Sequence, residues 1–184
     1  QRQMCIRDSL CVLFAFLYTT GPYPLSYNGW GDVLVIVFFG FVPVGGTYYV
    51  QALTWTSDTT VASLICGLLI DTLLVVNNYR DREADARSGK RTVIVRFGEK
   101  FGRYLYLMLG VAASLLCFWF FFEGHLFAAL LPLLYLIPHV LTWRRMVQIH
   151  SGKKLNSILG ETSRNMLLMG ILLSIGFLLS LIHI

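Results

Sequence analysis

The chemistry of this chain is concentrated in residues 77–98, which read NNYRDREADARSGKRTVIVRFG. Within this stretch Asp81 and Asp85 are spaced i, i+4, one turn of a helix apart, and like charges at that spacing repel unless a cation compensates them. Carboxylate oxygens suit Mg²⁺, which proteins usually hold through one or two carboxylates together with the phosphates of a substrate. The pair therefore indicates a site for a magnesium diphosphate.

The residues that follow the pair favour the same chemistry. The sequence GKRT at residues 89–92 combines a flexible backbone with two cations, Lys90 and Arg91, that can bind phosphate oxygens. A second interpretation stays open, because the acidic residues of this window could simply offset the neighbouring arginines in a solvated helix at the membrane surface.

A helix running through residues 59–85 would place the acidic pair on one face with small and polar residues. At 100° per residue this face carries Ser63, Gly67, Asp71, Leu74, Asn78, Asp81 and Asp85. Asn77 lies at its edge, whereas Arg80 and Glu83 point elsewhere. An ionised carboxylate facing lipid is costly, so this face is expected to line the interior of a helix bundle. Asp71 is interpreted either as functional or as hydrogen-bonded to a neighbouring helix.

The composition predicts an integral membrane protein with an all-α fold. Its mean hydropathy is +0.65 and only 14% of its residues are charged, whereas about a quarter are charged in soluble domains. The net charge of +5 is assigned to basic residues at the membrane interface, so nucleic acid is not expected as a partner. The four cysteines and four histidines show no metal or disulfide spacing and are interpreted as structural.

Five complete membrane spans and one partial span are predicted from the apolar runs. The complete spans are residues 33–50, 59–76, 101–122, 126–143 and 164–181. Residues 10–18 are assigned to the end of a truncated helix, and residues 19–32 and 144–163 to loops. Pro43 is expected to interrupt the first complete span, and Pro132 and Pro138 to kink the fourth.

The polar residues 1–9 lack an initiating Met and run directly into the truncated apolar segment. They are interpreted as a non-native leader that precedes a single membrane domain at residues 10–184.

Loop charge predicts the orientation of the bundle. Lys and Arg follow the second and fourth complete spans, whereas residues 51–58 and 123–125 contain neither. The positive-inside rule puts the basic segments in the cytoplasm, and alternation puts residues 19–32 there as well. Three connecting segments then meet on one face of the membrane, which predicts a site open to the cytoplasm.

The pattern NNxRDxxxDxxxGKRT at residues 77–92, followed by VRFG at residues 95–98, resembles the second aspartate motif of the UbiA superfamily of intramembrane prenyltransferases. Within that superfamily it is most similar to members that act on 1,4-dihydroxy-2-naphthoate in menaquinone synthesis. Three further stretches agree: GPY at residues 21–23, YNGWGD at residues 27–32 and YVQA at residues 49–52. The resemblance covers about residues 18–180.

The resemblance implies a nine-helix bundle, of which this chain supplies the end of the fourth helix and helices five to nine. It implies transfer of a polyprenyl group from a polyprenyl diphosphate to 1,4-dihydroxy-2-naphthoate, with loss of carbon dioxide and diphosphate, giving demethylmenaquinone. Such an enzyme would be magnesium-dependent and would lie in the bacterial cytoplasmic (inner) membrane. The implied catalytic residues are Asp81, Asp85, Lys90 and Arg91, of which the two aspartates bind the metal. The implied substrate-binding residues are Asn77, Asn78, Tyr27, Asp32, Gln51 and Arg96.

Two alternatives remain open at this point. The acceptor could be another aromatic compound, such as 4-hydroxybenzoate or homogentisate, or the chain could be part of a membrane transporter without enzymatic activity. Family members also carry a first aspartate motif near their second helix, and no stretch before residue 18 provides one. This stretch of chain is therefore expected to be inactive by itself.

Overall fold

The computed structural model describes residues 24–182 together with residues 9, 12, 13 and 16–18. Most of the proposed leader at residues 1–9 and the GPY motif at residues 21–23 lie outside the described residues. The backbone is helical at residues 12, 13 and 16–18, which agrees with the end of a helix predicted there.

The described chain is an all-helical bundle. Its main helices are α1 (Gly31–Ala52), α2 (Ser57–Arg87), the short α3 (Val93–Phe97), α4 (Glu99–Phe122), α5 (Leu126–Ile149) and α6 (Leu155–Ile182). All of these except α3 are long and apolar enough to cross a membrane. The predicted polytopic bundle with five complete spans is confirmed.

Two predicted loop boundaries are wrong. The connection placed at residues 144–163 is confined to residues 150–154, because α5 continues to Ile149 and α6 begins at Leu155. Arg and Glu are good helix formers, and the ion pair between Arg145 and Glu161, 2.6 Å long, joins the two extended helix ends. Asp32 was also assigned to a loop, but it lies in the first turn of α1.

The predicted interruption of the first complete span is a π-helical segment. Ile36–Gly45 is π-helical and contains Pro43, which has no N–H group to donate. Local π or 3₁₀ geometry lets a membrane helix satisfy the backbone groups that a proline frees, so α1 stays continuous. In α5 the 3₁₀ stretch Leu131–Tyr135 has the same role around Pro132.

Helix α2 is central to the described bundle and packs against α1, α4 and α6. Tyr79 is fully buried in a cluster at one end of α2, and Ile65 is buried in a second cluster nearer the other end. Because lipid tails are as apolar as these side chains, close packing rather than water exclusion must hold such a bundle together.

Helices α1 and α2 pack backbone against backbone where Gly40 meets Gly67. A Cβ atom on Gly40 would lie against the carbonyl oxygen of Ser63 and 2.9 Å from the Cα atom of Gly67. A Cβ atom on Gly67 would lie 2.9 Å from the Cα atom of Ile36. These contacts are with backbone, which cannot move aside as a side chain can, so the crossing requires glycine on both helices.

The variant Gly67→Ala is expected to lower the thermal unfolding midpoint of the detergent-purified protein, because overpacking of this kind costs roughly 1–3 kcal/mol. Gly170→Ala is the matched control, since a Cβ atom there meets nothing within 4 Å and Ala is a better helix former than Gly. A midpoint that falls equally in both variants would contradict the crossing.

Candidate active site

Three segments meet at one end of the bundle, as loop charge predicts. The backbone N–H of Arg91 donates to the carbonyl oxygen of Tyr27 at 2.8 Å, which joins the segment before α1 to the segment after α2. Arg80 donates to the side-chain oxygen of Asn156 at 2.9 Å, which joins α2 to the start of α6. The predicted convergence of these segments on a single face is confirmed.

Helix α2 carries the acidic pair beyond the bilayer. The hydroxyl oxygen of Thr56 caps the helix by accepting from the N–H of Thr59 at 3.2 Å, and the helix then runs for 31 residues. That length corresponds to roughly 46 Å, against a hydrocarbon core of about 30 Å. Asp81 and Asp85 therefore lie on turns that project past the hydrocarbon core.

The predicted polar face of α2 is turned inward along most of its length. Ser63, Asp71 and Asn78 are all buried, at 0%, 1% and 5% exposed, and Gly67 lies in the α1 crossing. The expectation that this face lines the interior is confirmed for these residues. Asp81 and Asp85 are only partly buried, because they lie near the end of the helix.

Asp85 combines a paired oxygen with an unpaired one. The Lys90 ammonium lies 3.5 Å from its Oδ1 atom, and the Asp85 side chain is only 14% exposed. Its Oδ2 atom is buried and has no hydrogen-bond partner among the described residues. A buried carboxylate oxygen without a partner is costly, so this atom is suited to receive a ligand.

The chain reversal after α2 brings Lys90 back over the helix end. Gly89 has φ +78°, a left-handed conformation that glycine adopts without a Cβ penalty. The N–H of Lys90 then donates to the carbonyl oxygen of Asp85 at 2.9 Å. The turn in the GKRT sequence therefore places the Lys90 ammonium beside the Asp85 carboxylate.

Asp81 is held by its neighbour Arg80 in a bidentate pair. The guanidinium Nε donates to Oδ1 at 2.7 Å and Nη2 to Oδ2 at 2.6 Å, and 39% of the Asp81 side chain is exposed. Nη2 also donates to Asn77 Oδ1 at 2.7 Å. Arg80 projects from a different angle of α2 than Asp81, as the helical periodicity predicts, but its long side chain reaches around the helix to the adjacent carboxylate.

Arg80 and Lys90 together resolve the repulsion between the two aspartates. Each carboxylate has its own cation, and the Lys90 ammonium also attracts Asp81. For Asp81, the Arg80 pair is the arrangement that the second interpretation of the acidic residues predicts, in which they offset the neighbouring arginines.

A small polar cleft lies beside the acidic pair. Asp32 on α1, Asn78 on α2 and Lys90 line it together with Ser26, Thr92 and Tyr18. Asp81 and Asp85 border this cleft rather than line it, and Lys90 connects the two regions because it contacts Asp85 as well. The structure thus brings Asp32 and Asn78 to the site from two different helices.

Asp71 lies deeper along α2 and close enough to Asp32 for the two carboxylates to interact electrostatically. It is 1% exposed, and its Oδ1 atom has no hydrogen-bond partner in the described part of the chain. A hydrogen bond to a neighbouring helix, one of the two interpretations of this residue, is therefore not made by that oxygen.

The segment before α1 is held over the cleft by the residues after α2. The Arg96 guanidinium donates to the carbonyl oxygen of Asn28 at 2.7 Å, and Asn28 Nδ2 donates to the carbonyl oxygen of Pro24 at 2.9 Å. Tyr27 takes part through its backbone while 41% of its side chain is exposed, and Arg91 is also exposed. Arg96 therefore positions this segment.

Gln51 is the one predicted site residue that the structure does not bring to this end of the bundle. It lies in the last turn of α1, whereas Asp32 lies in the first turn. Helical rise separates the two by on the order of 25 Å. The predicted substrate-binding role of Gln51 is not supported at this site.

A further polar network anchors the end of α2 and was not predicted. The hydroxyl of the fully buried Tyr79 donates to Glu99 at 2.8 Å and accepts from Arg103 Nε at 2.9 Å. Arg82 donates to the carbonyl oxygen of Tyr79 at 2.7 Å, and His150 lies 3.4 Å from Glu99. This network ties the helix that carries both aspartates to α4 and to the connection before α6.

The oxygen atoms of Asp81 and Asp85 are the candidate ligands for a magnesium ion. No group of three or more His, Cys, Asp or Glu side chains converges within the described ranges. The unpaired Asp85 oxygen nevertheless suits a hard cation that takes only one or two protein carboxylates and completes its shell with substrate phosphates. Asp81 could contribute once Arg80 releases one of its oxygens, so the residues fit a substrate-completed site.

Comparisons with known proteins show which family the chain belongs to. The chain is 38% identical to 1,4-dihydroxy-2-naphthoate octaprenyltransferase of Haemophilus influenzae, over 92% of this chain and 56% of that protein. It is 34% identical to the protein of the same name from Escherichia coli, over 95% of this chain and 57% of that protein. It is also 30% identical to UbiA prenyltransferase domain-containing protein 1 of Dictyostelium discoideum, over 96% of this chain and 54% of that protein.

The chain thus spans a little over half the length of these relatives. No solved structure matches it significantly. The model of the UbiA prenyltransferase family matches residues 9–159, which include the acidic pair, the GKRT sequence and the cleft. The chain therefore belongs to the UbiA prenyltransferase family.

Proposed function

We propose that the protein transfers a polyprenyl group from a polyprenyl diphosphate to 1,4-dihydroxy-2-naphthoate, with release of diphosphate and carbon dioxide. The observation that carries this proposal is the Asp85 carboxylate, which has one oxygen beside Lys90 and the other buried with no hydrogen-bond partner among the residues that the structure describes. Such a carboxylate next to a cation suits a diphosphate that arrives with its own metal ion.

The diphosphate of the donor would bind at the exposed end of α2. Lys90 and Arg91 supply positive charge for the phosphate oxygens, and Asp81 and Asp85 would hold Mg²⁺ with Asn77 or Asn78 assisting. When bound, the metal supplies further positive charge against the negative charge that develops on the leaving diphosphate. The ends of Arg80 and Lys90 are long and flexible enough to exchange a carboxylate for a phosphate partner.

The reaction balances without an added oxidant. The bond between the allylic carbon and the bridging diphosphate oxygen breaks, and its electron pair leaves with the diphosphate. The ring carbon that bears the carboxylate attacks the allylic cation, and carbon dioxide then departs, leaving its bonding electrons in the ring. The product is demethylmenaquinone in its reduced, hydroquinone form.

The polar cleft beside Lys90 has a volume of about 10 Å³, room for one water-sized group, so it is proposed to hold a single hydroxyl group of the aromatic acceptor and not its ring. Asp32 and Asn78 offer hydrogen-bond partners for ring hydroxyl groups, and the segment that carries Tyr27 lies over the cleft, where Arg96 holds it. The allylic cation must be shielded from water, which would otherwise capture it. Both substrates carry apolar portions that can enter from the bilayer.

The basic ends of the helices support a cytoplasmic location for this site in a bacterial inner membrane. Membership of the UbiA family favours the enzymatic function over the transporter alternative. The names of the bacterial relatives favour the naphthoate over 4-hydroxybenzoate and homogentisate as acceptor.

The acceptor is tested with the full-length protein in detergent or nanodiscs. Prenylated product is expected from 1,4-dihydroxy-2-naphthoate with a kcat/KM at least about tenfold above that for 4-hydroxybenzoate or homogentisate, because a polar site rejects analogues that leave its groups unpaired. Product is measured by liquid chromatography and mass spectrometry with each acceptor at matched concentration. A higher kcat/KM for either monocyclic acceptor would reassign the substrate within the family.

A further inference from the structure

A groove of about 500 Å³ lies between α5 and α6, at the same end of the bundle as the acidic pair but outside the proposed active site. Three arginines line it: Arg144 and Arg145 from α5, and Arg164 from α6. Its inner wall is polar and buried, since Thr142 and Asn165 are 3% and 7% exposed and Asn165 donates to the Thr142 hydroxyl at 2.9 Å.

The charges of this groove are not balanced. Arg145 pairs with Glu161 at 2.6 Å, which neutralises one of the three guanidinium groups. Arg144 and Arg164 are exposed and have no acidic partner within the described residues. Two guanidinium groups therefore flank the groove with positive charge available for an anion.

An apolar surface continues from the arginines toward the membrane interior. Leu141 and Ile137 follow along α5, 54% and 63% exposed, and Leu168 and Ile171 follow along α6, 36% and 47% exposed. Arginine and apolar residues thus lie in a column that runs from the cytoplasmic surface into the bilayer. A free phosphate ion would use only the charged end of this column.

We propose that the groove between α5 and α6 binds an anionic glycerophospholipid of the cytoplasmic leaflet. Arg144 and Arg164 would bind its phosphate group, and its acyl chains would lie along the exposed apolar residues of both helices. Basic recesses between membrane helices on the cytoplasmic side are suited to anionic lipids, because the basic side chains bind the headgroup while the apolar helix surfaces contact the acyl chains. This site is separate from the prenyl-transfer chemistry.

The test titrates the full-length protein, delipidated in detergent, with phosphatidylglycerol and counts retained lipid by native mass spectrometry. The double variant Arg144→Gln, Arg164→Gln is expected to bind at least about tenfold more weakly than the wild type, since each basic residue near an anionic lipid contributes about fivefold. Lys153→Gln, Lys154→Gln is the matched control, because it removes two exposed positive charges from the connection between α5 and α6 without changing a residue that lines the groove. The control is expected to bind like the wild type.

Two further binding measurements identify the ligand. Phosphatidylcholine is expected to bind more weakly than phosphatidylglycerol, and millimolar glycerol 3-phosphate is not expected to displace phosphatidylglycerol. Undiminished phosphatidylglycerol binding by the arginine variant, or an equal loss in the lysine control, would overturn the proposal. Displacement by glycerol 3-phosphate would overturn the lipid assignment in favour of a phosphate site. Should the double variant not fold, Arg164→Lys is expected to retain binding and Arg164→Glu to lose it.

Discussion

Replacing Asp81 or Asp85 with Ala is expected to reduce prenyl transfer at saturating magnesium by at least about a hundredfold, the usual effect of losing one charge-stabilising group. Asp85 offers the unpaired oxygen, and Asp81 offers two oxygens that Arg80 can release. Without either carboxylate, the metal-bound diphosphate would be poorly held as its negative charge develops. Initial rates of product formation by the full-length protein measure the effect.

Glu83→Ala is the matched control for both substitutions. It removes a carboxylate from the same helix between the two aspartates, at an exposed position outside the predicted polar face, and is expected to leave turnover close to that of the wild type. Chelation of divalent cations should abolish turnover of the wild type, and added Mg²⁺ should restore it. Wild-type turnover in either aspartate variant would remove the proposed metal role.

Replacing Lys90 with Met is expected to lower kcat by about a hundredfold, with a smaller loss for Lys90→Arg. Among the described residues, only Lys90 both contacts the Asp85 carboxylate and lines the polar cleft, so its ammonium can stabilise the negative charge that develops on the diphosphate. Methionine keeps the length and apolar stem of the side chain but removes the charge. Steady-state kinetics with varied polyprenyl diphosphate separate the loss in kcat from a change in KM.

Lys100→Met provides the comparison for Lys90. Lys100 is an exposed lysine of the same charged window, in the first turn of α4 and outside the cleft. It is expected to leave kcat unchanged. If both lysine variants lose activity equally, the effect belongs to the general charge of this surface and Lys90 has no specific role.

The helical arrangement follows from local sequence patterns. Runs of about 20 apolar residues can satisfy their backbone groups in lipid only as helices, so five spans are expected from the residues alone. Helical periodicity also predicts that Ser63, Asp71 and Asn78 share one inward face, because the residues of one helix face are related by a fixed angle. All three are buried.

Contacts made by long side chains do not follow from periodicity. Arg80 projects from a different angle of α2 than Asp81, yet its flexible chain brings the guanidinium onto both carboxylate oxygens. The Tyr79 hydroxyl meets Glu99 only because α2 and α4 pack side by side. Such contacts depend on how the helices cross and on side-chain rotamers, and neither can be predicted from the spacing of residues in the sequence.

The separation of Gln51 from Asp32 also shows that similarity to a motif does not predict which residues lie close together. Both belong to stretches that resemble family motifs, at the two ends of one apolar run. Loop charge already placed residues 19–32 on the face of the basic segments and residues 51–58 on the other face, so the predicted role of Gln51 disagreed with the predicted topology. A straight helix keeps its ends far apart, however, and only the end that carries Asp32 packs beside Asn78 and Lys90.

By itself the sequence determined an all-helical membrane bundle, its five spans and the helix face that carries the acidic residues, since these depend on short-range periodicity and hydrophobicity. Only the tertiary structure decided which cation pairs with each aspartate and that Asp71 lies near Asp32. It also decided that two arginines with no acidic partner in the described part of the chain flank a groove between α5 and α6. The physical reason is that helix packing brings together residues far apart in the chain, and charge pairing depends on distances of a few ångströms that packing alone sets.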